Sequence, residues 1–389
     1  MKKVYLMMTL ILALLLATSG AALAQEPFVF CGDLSEADCT LLQESHAASM
    51  ELQSGTSTFD VSMVISNIPD APFNTLDFQI TGDAAYVVDP ALLETMKGMQ
   101  ADPMAMFSTP EGMTEWFNSV IGGVATDANL TLTLPADLVA MMSTEEQPIP
   151  DTLSLGLRLV DGFAYVNLDE IAAAMPDADM PPGWIGIDLA TLMERAMEQQ
   201  GAMGAMGGMN TMDPEVMQSY MQMFQDQEFL TQFMSAERVA DTEIMGQPAA
   251  VFEYTFDYSA LFQSEQFRDL MREQMAAMGE MMGEEMDEDV QAEMEEAMSM
   301  IGPMFDAMNL SIRQVIGLED KYSHVTEVHF DWDMTAFMES VEPDAEGPAP
   351  SFTFDISVTS SDFNSAPEIV APEDVTIFPI DMMMPSNDM

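Results

Sequence analysis

The chain has 389 residues, of which 66 are Asp or Glu and 10 are Lys or Arg, so its formal net charge is −56 at pH 7. A surface of that sign repels phosphate backbones and anionic lipid headgroups, which argues against a nucleic-acid partner. The hydrophobic fraction of 48% is typical of a globular protein. The acidity has two interpretations, a solvated surface or a cation-binding surface. The sequence has no D-x-D-x-D-G calcium loop, which favours the first.

Residues 1–24 have the three-part pattern of a secretory signal peptide. Two lysines precede an apolar run over residues 4–16, and small residues follow up to Ala24. The apolar run is shorter than the ~20 residues that a spanning helix needs, so an uncleaved anchor is the weaker interpretation. We expect cleavage before Gln25 and a secreted or extracytoplasmic protein. We expect no lipid anchor, because Cys31 does not directly follow the small residues.

Cys31 and Cys39 are the only cysteines of the sequence. Two thiols eight positions apart in an exported chain predict one small disulfide loop, with a redox or metal-binding pair as the alternative. Ser35 and Asp38 resemble a capping box and predict a helix that runs to about Gln53. The disulfide loop would hold the mature N-terminus against the start of this helix.

After this helix the hydrophobic period becomes two, which predicts strands with one apolar face. Strands of this kind that follow one another along the chain predict an antiparallel sheet. Residues 67–74, rich in Pro and Asp, are predicted to form the turn between the first two strands. The alternating pattern recurs over residues 59–65, 76–80, 130–134, 153–159, 252–258, 328–332 and 352–358.

Helical segments are predicted between these strands. Met113, Trp116, Phe117 and Val120 lie at helical spacing, and a Gly-Gly pair at 122–123 ends that element. Longer Met-rich helical inserts are predicted over about residues 188–235 and 259–308. Residues 25–380 are expected to form one domain, and residues 381–389 a disordered tail.

The sequence contains no recognisable catalytic motif. It has three histidines and lacks H-E-x-x-H, G-x-S-x-G, P-loop and strand-linked G-x-G-x-x-G patterns. His324 and His329 lie five positions apart in a predicted strand region, so they are expected to face opposite sides. We therefore expect a protein that is not an enzyme, has no cofactor and has no tight zinc or calcium site.

Methionine is unusually frequent, at 42 residues. Thioethers can hold Cu(I), and four methionines recur every three residues in a Gly-rich segment. The alternative, which we favour, is that Met replaces Leu in helices and fills a core or lines a pliable apolar pocket. The Cu(I) candidates are Met203, Met206, Met209 and Met212.

Three short segments resemble the LppX/LprG-type exported lipoproteins. Residues 238–254 (RVADTEIMGQPAAVFEY) are similar to a strand pair of that family, and residues 316–321 (IGLEDK) to the hairpin that follows it. Residues 361–364 (SDFN) with 367–372 (PEIVAP) are similar to its closing strand and proline exit. The resemblance implies a LolA-like α+β fold. Such a fold is a curved antiparallel β-sheet, or half-barrel, with helices packed on its concave face and a lipid or lipoprotein between them.

We therefore expect an exported, noncatalytic binding protein for a hydrophobic small molecule, most simply a lipid carrier with transient membrane or membrane-protein contacts. The alternatives are a structural or surface interaction protein without a small ligand, and Met-based Cu(I) binding. Ala250 is expected on the face opposite the ligand. The period-two pattern predicts ten side chains that face the ligand: Phe59, Met63, Phe78, Phe252, Tyr254, Phe256, Phe330, Trp332, Phe354 and Ile356.

Overall fold

The computed structural model describes most of the predicted domain, over eight ranges and two single residues. Outside the described residues lie the predicted signal peptide, the four candidate Cu(I) methionines, the predicted tail 381–389 and most of both predicted Met-rich inserts. The described residues are 29–68, 72–101, 110–143, 149–174, 181–195, 223, 226–270, 272, 305–341 and 348–379.

Helices occupy the connections between strands, as predicted. Residues 189–195 and 265–270 are also helical. The remaining helices are α1 (Glu36–Ser49), α2 (Pro90–Ala101), α3 (Pro110–Gly123), α4 (Ala136–Met142), α5 (Asp169–Ala174), α6 (Gln227–Leu230), α7 (Tyr258–Gln263) and α8 (Thr335–Val341).

The strands all belong to one sheet. They are β1 (Ser54–Ser66), β2 (Thr75–Val88), β3 (Val124–Thr133), β4 (Thr152–Val160), β5 (Phe163–Asn167), β6 (Trp184–Asp188), β7 (Met234–Arg238), β8 (Thr242–Ile244), β9 (Gln247–Phe256), β10 (Met308–Gly317), β11 (Ser323–Asp333), β12 (Ser351–Ser361) and β13 (Thr376–Ile377).

The described strands form an open 13-stranded sheet in the order β13-β6-β5-β4-β3-β2-β1-β12-β11-β10-β9-β7, with β8 also paired to β9. The predicted α+β class is confirmed. The described strand pairs are antiparallel except at one edge, where β13 runs parallel to β6. This edge pair was not predicted, because a two-residue strand carries no periodic signal.

The predicted N-terminal helix and disulfide are both present. The Ser35 Oγ caps α1 by accepting a hydrogen bond from the Asp38 amide at 3.3 Å. Helix α1 ends at Ser49, a few residues before the expected end near Gln53. Cys31 and Cys39 are bridged, a cross-link typical of proteins in oxidising compartments.

Over β1, β2, β11 and β12, the strand register gives the sheet one apolar and one polar face. Residues directly opposite each other in an antiparallel pair have side chains on the same face. Phe354 of β12 lies opposite both Met63 of β1 and Phe330 of β11. The next residue, Asp355, lies opposite His329, and this pair joins by a 2.6 Å hydrogen bond on the other face. We call these the apolar face and the polar face.

Helices cover the apolar face at the β2–β6 side of the sheet. There Leu92 of α2 and Ile121 of α3 are buried against strand residues such as Ala128 and Leu157, both 0% exposed. Ile171 of α5 completes this group. Because its buried members are mainly Leu, Ile, Val and Ala, we call it the aliphatic cluster.

Two further clusters cover the apolar face at the β7–β10 side. Leu41 and Leu42 of α1 pack on Phe252 and Ile316, and we call this group the α1 cluster. Beside it, the aromatic cluster joins Phe30, Phe229, Leu230, Phe233, Ala236 and Leu261. The helices of the described chain therefore pack on the apolar face at both sides of the sheet.

The disulfide should stabilise the junction between the N-terminus and α1. We expect replacement of both cysteines by serine to lower the free energy of unfolding by about 2 kcal/mol, because the short closed loop restricts the unfolded chain. Urea denaturation with and without reductant checks this. The wild type in reductant should match the double variant, and the double variant should not respond to reductant. Free-thiol labelling of the native, oxidised protein would contradict the bridge.

A second stability prediction concerns Thr126, which is 1% exposed inside the aliphatic cluster region. Its Oγ1 has no hydrogen-bond partner, so folding leaves a desolvated hydroxyl unpaired. Thr126→Val has nearly the same shape, and we expect it to raise the free energy of unfolding by about 1 kcal/mol. Thr131→Val on the polar face of the same strand is the control, with a change within about 0.5 kcal/mol. Destabilisation by Thr126→Val would show that the hydroxyl is satisfied in the native protein.

Candidate functional site

The candidate site is the middle of the apolar face, between the covered sides. We call it the central strip. It spans five neighbouring strands, each contributing three apolar side chains on the same face by register. Its members are Leu76, Phe78 and Ile80 of β2, Val61, Met63 and Ile65 of β1, Phe352, Phe354 and Ile356 of β12, Val328, Phe330 and Trp332 of β11, and Met308, Leu310 and Ile312 of β10.

The central strip differs from the covered sides in burial. All fifteen of its side chains are half-buried, whereas the neighbouring clusters contain fully buried side chains such as Leu157 and Phe252, both 0% exposed. Strand β12, at the centre of the sheet, is half-buried at each of its eleven residues. A large apolar surface with incomplete cover is typical of a binding surface.

The size of the strip fits a hydrocarbon chain. It extends about 13 Å along each strand and about 19 Å across the five strands, from the standard rise and strand spacing. One leaflet of the hydrocarbon core of a bilayer is about 15 Å thick. A single acyl chain could therefore lie on the strip over most of its length.

The register places all ten predicted ligand-facing residues on the apolar face, but at different depths. Six lie in the central strip: Met63, Phe78, Phe330, Trp332, Phe354 and Ile356. Phe59 borders the aliphatic cluster, where its ring lies over Gly82; a Cβ at Gly82 would come within 2.6 Å of that ring. Tyr254 and Phe256 border the aromatic cluster.

Phe252 is the predicted site residue that lies in a core. It is 0% exposed beneath Leu41 and Leu42 of α1, so its ring is in contact with the helix. The expectation that Ala250 lies on the opposite face is wrong. Ala250 is opposite Ile316 in the register and packs in the same α1 cluster, because residues two apart in a strand share a face.

Sequence reasoning missed part of the strip for two reasons. Strand β10 was not predicted, since its start at Met308 falls at the end of a presumed helical insert. The alternation of Leu310 and Ile312 with Ser311 was the available signal. Val61 and Phe352 were recognised in alternating strands but were not assigned to the site.

A chain of rings connects the strip to the aromatic cluster. The ring centroids of Phe233 and Phe256 are 5.1 Å apart, and those of Phe256 and Tyr258 are 4.5 Å apart. Tyr258 then meets Phe330 of the strip edge-on at 6.5 Å. Burial raises the pKa of the Tyr258 hydroxyl, so it stays protonated at neutral pH. The lining on this side is therefore neutral and aromatic.

Among the described residues, the Asp, Glu and Arg side chains of the five strip strands lie on the polar face. Arg313 contacts Glu327 at 2.6 Å, and Asp331 accepts a hydrogen bond from Thr353 at 3.1 Å. Gln79 donates to Asp60 at 3.1 Å. These pairs alternate with the strip residues along the same strands, so the sheet itself separates the charges from the apolar surface.

A buried polar cluster lies at the β10–β11 hairpin. His324 is 3% exposed, and its Nε2 lies 2.9 Å from Asp320 Oδ2. Gln247 donates to the same carboxylate oxygen at 2.6 Å. Burial raises the pKa of Asp320, but the hydrogen bonds from Gln247 and the Tyr322 amide and the nearby His324 outweigh it, so the pKa is lowered. His329 lies on the polar face and is exposed.

Two further features are absent from the described residues. That part of the chain contains no group of three or more His, Cys, Asp and Glu side chains that could hold a metal ion. None of its helices is long and apolar enough to cross a membrane.

No protein-family model and no curated protein matches this sequence. Among solved structures, LprF from Mycobacterium bovis is 11% identical, with a TM-score of 0.29 over 87% of this chain and 97% of LprF. Lipoprotein LppX from Mycobacterium tuberculosis is 9% identical, with a TM-score of 0.26 over 86% of this chain and 100% of LppX. Both are LppX/LprG-type lipoproteins, the group that the three sequence segments resemble.

Proposed function

We propose that this protein is an exported, noncatalytic carrier or binding protein for a lipid or a similar hydrophobic molecule. The observation that supports this function best is the central strip, where fifteen apolar side chains on five neighbouring strands are half-buried. The ligand lies on this strip, between the aliphatic cluster on one side and the α1 and aromatic clusters on the other.

The hydrophobic effect can supply the affinity. Burial of each CH₂ contributes roughly 0.8 kcal/mol, so ten methylenes contribute about 8 kcal/mol before association costs. Much of the lining is unbranched or aromatic, with Met63, Met308 and several Phe side chains, and Met adapts its shape to the ligand. Such a surface places little demand on the exact shape of the chain it binds.

The other features of the protein agree with a carrier that works outside the cytoplasm. The N-terminal pattern predicts export, and the disulfide between Cys31 and Cys39 suits an oxidising compartment. The net charge of −56 repels anionic membranes, which favours release of the carrier after it has exchanged its ligand. Among the described residues, His324 and Asp320 bond to each other, to Gln247 and to the Tyr322 amide but to no Ser or Cys side chain, and the pair supports the fold of the hairpin instead.

Native mass spectrometry of protein purified without detergent tests the proposal. We expect a hydrophobic adduct that is released on denaturation and identified as a lipid. Protein stripped of its ligand should take up the same lipid again from vesicles.

A matched pair of variants on β12 tests the site. Phe354→Gln places a polar group on the strip and should lower lipid uptake at least tenfold, because its amide would be desolvated beside an acyl chain. Thr353→Gln, one residue away on the polar face, can still donate to Asp331 and should bind like the wild type. Phe330→Leu keeps the surface apolar and should retain binding. A wild type that neither carries nor takes up lipid would favour a structural or surface role, and equal effects of the two Gln variants would move the site elsewhere.

A further inference from the structure

The central strip carries two methionines among its fifteen apolar side chains, Met63 of β1 and Met308 of β10. Met63 lies opposite Phe354 on one side and Phe78 on the other, and Met308 lies opposite Trp332. Both methionines are half-buried. The other strip residues are Leu, Ile, Val, Phe and Trp, so these two thioethers are the groups of the strip that a peroxide oxidises most readily.

Oxidation would make the strip polar at these two positions. A peroxide transfers one oxygen atom to the methionine sulfur: the S–O bond forms, the O–O bond breaks, the thioether loses two electrons and the peroxide is reduced to water. The product is a sulfoxide, which replaces a flexible apolar side chain by a polar one. Around Met63 neither a hydrocarbon chain nor the rings of Phe354 and Phe78 offer this oxygen a hydrogen-bond donor. Its desolvation therefore opposes ligand binding, as for any unpaired polar group.

Methionines of the described chain differ in their access to an oxidant. Met50, which follows α1, is 9% exposed, whereas Met141 of α4 and Met245 in the β8–β9 turn are each 60% exposed. Met63 and Met308 lie between these extremes, and a hydrocarbon chain on the strip would cover both. Their reaction with a peroxide therefore depends on whether the strip is occupied, while that of the two exposed methionines does not.

We infer that Met63 and Met308 are oxidation sites that switch off ligand binding at the central strip. In the empty protein both react with a peroxide to give sulfoxides, and the oxidised strip holds a hydrocarbon chain more weakly. In the loaded protein the ligand protects both sulfurs. The disulfide between Cys31 and Cys39 suits a compartment outside the reducing cytosol, where such oxidants persist. This inference rests on the proposed function, because it assigns a chemical control to the lipid site.

Hydrogen peroxide and a pyrene-labelled dodecanoic acid test the inference. The full-length mature protein is freed of ligand, and the dissociation constant of the probe is measured by fluorescence titration before and after peroxide treatment. We expect the wild type to bind the probe about tenfold more weakly after treatment, while its circular dichroism spectrum is retained. In Met63→Leu/Met308→Leu the ratio of the two constants should stay close to one, because Leu keeps the surface apolar and cannot form a sulfoxide.

Peptide mass spectrometry follows the modification at each position. Bound probe should slow sulfoxide formation at Met63 and Met308 severalfold and leave the rates at Met141 and Met245 unchanged. Met63→Gln places a polar group of similar length on the strip and should weaken probe binding about tenfold without any peroxide. Met245→Gln, outside the strip, is the matched control and should bind the probe like the wild type.

The remaining outcomes separate the inference from the proposed function. Sulfoxides at Met63 and Met308 with undiminished probe binding, or equal oxidation rates with and without the probe, would overturn the inference and leave lipid binding intact. An equal loss of affinity in the wild type and in the double Leu variant would place the sensitive group elsewhere and overturn it too. Should the double variant not fold, Met63→Leu alone must show a smaller ratio than the wild type for the inference to stand. A wild type that binds no probe before treatment would contradict the proposed function together with the inference.

Discussion

The antiparallel pairing of β1 with β12 is the constraint on which the rest of the structure depends. Eleven residues of each strand are in register, from Thr56 opposite Ser361 to Ser66 opposite Ser351. Strand β1 is the first strand of the chain and β12 is the last long one. Strands β2–β6 lie on one side of this pair in the sheet, and strands β7–β11 lie on the other. Helices α2, α3 and α5 pack on the β2–β6 side, whereas α1, which directly precedes β1 in the chain, packs on β9 and β10. The junction between these two sides receives less cover.

Hydrogen bonds fasten this junction at both ends. At one end the Asn67 side chain donates to the Ala349 carbonyl at 3.0 Å. At the other, the Gln53 amide donates to the Asn364 side chain at 2.8 Å, and the Asn364 amide donates to the Ser54 carbonyl. Both asparagines have φ of 56°, a left-handed conformation that Asn tolerates better than most residues. These hydrogen bonds help to fix the register of β1 and β12, and a one-residue slip would turn the strip to the polar face.

Much of the fold could be predicted from the sequence because the physical signals were local. Alternation along β1, β2, β11 and β12 gave strands with one apolar face, and Ser35 with Asp38 marked the start of α1. Strand order was not accessible, since the pairing of β1 with β12 depends on contacts about 300 residues apart. The prediction of Ala250 on the opposite face failed through a miscounted strand period, not through the fold.

The candidate site could be predicted only in outline. Side-chain direction follows from the period of two, so all ten predicted residues lie on one face, but which of them a helix covers depends on tertiary packing. Phe252 and Phe354 look alike in sequence, and α1 buries the first completely while the second stays half-buried.

Fluorescence of Trp332 offers the most direct measurement of the central claim that a hydrocarbon chain lies on the strip. The sequence has three tryptophans, so Trp116→Phe/Trp184→Phe leaves Trp332 as the single emitter. Bound lipid with a dibrominated acyl chain should quench its emission, whereas the same lipid without bromine should not. A companion variant that retains only Trp184, whose ring lies against Arg158 at the β4–β6 side, should show little quenching. Stoichiometric binding of the brominated lipid with undiminished Trp332 emission would contradict the account.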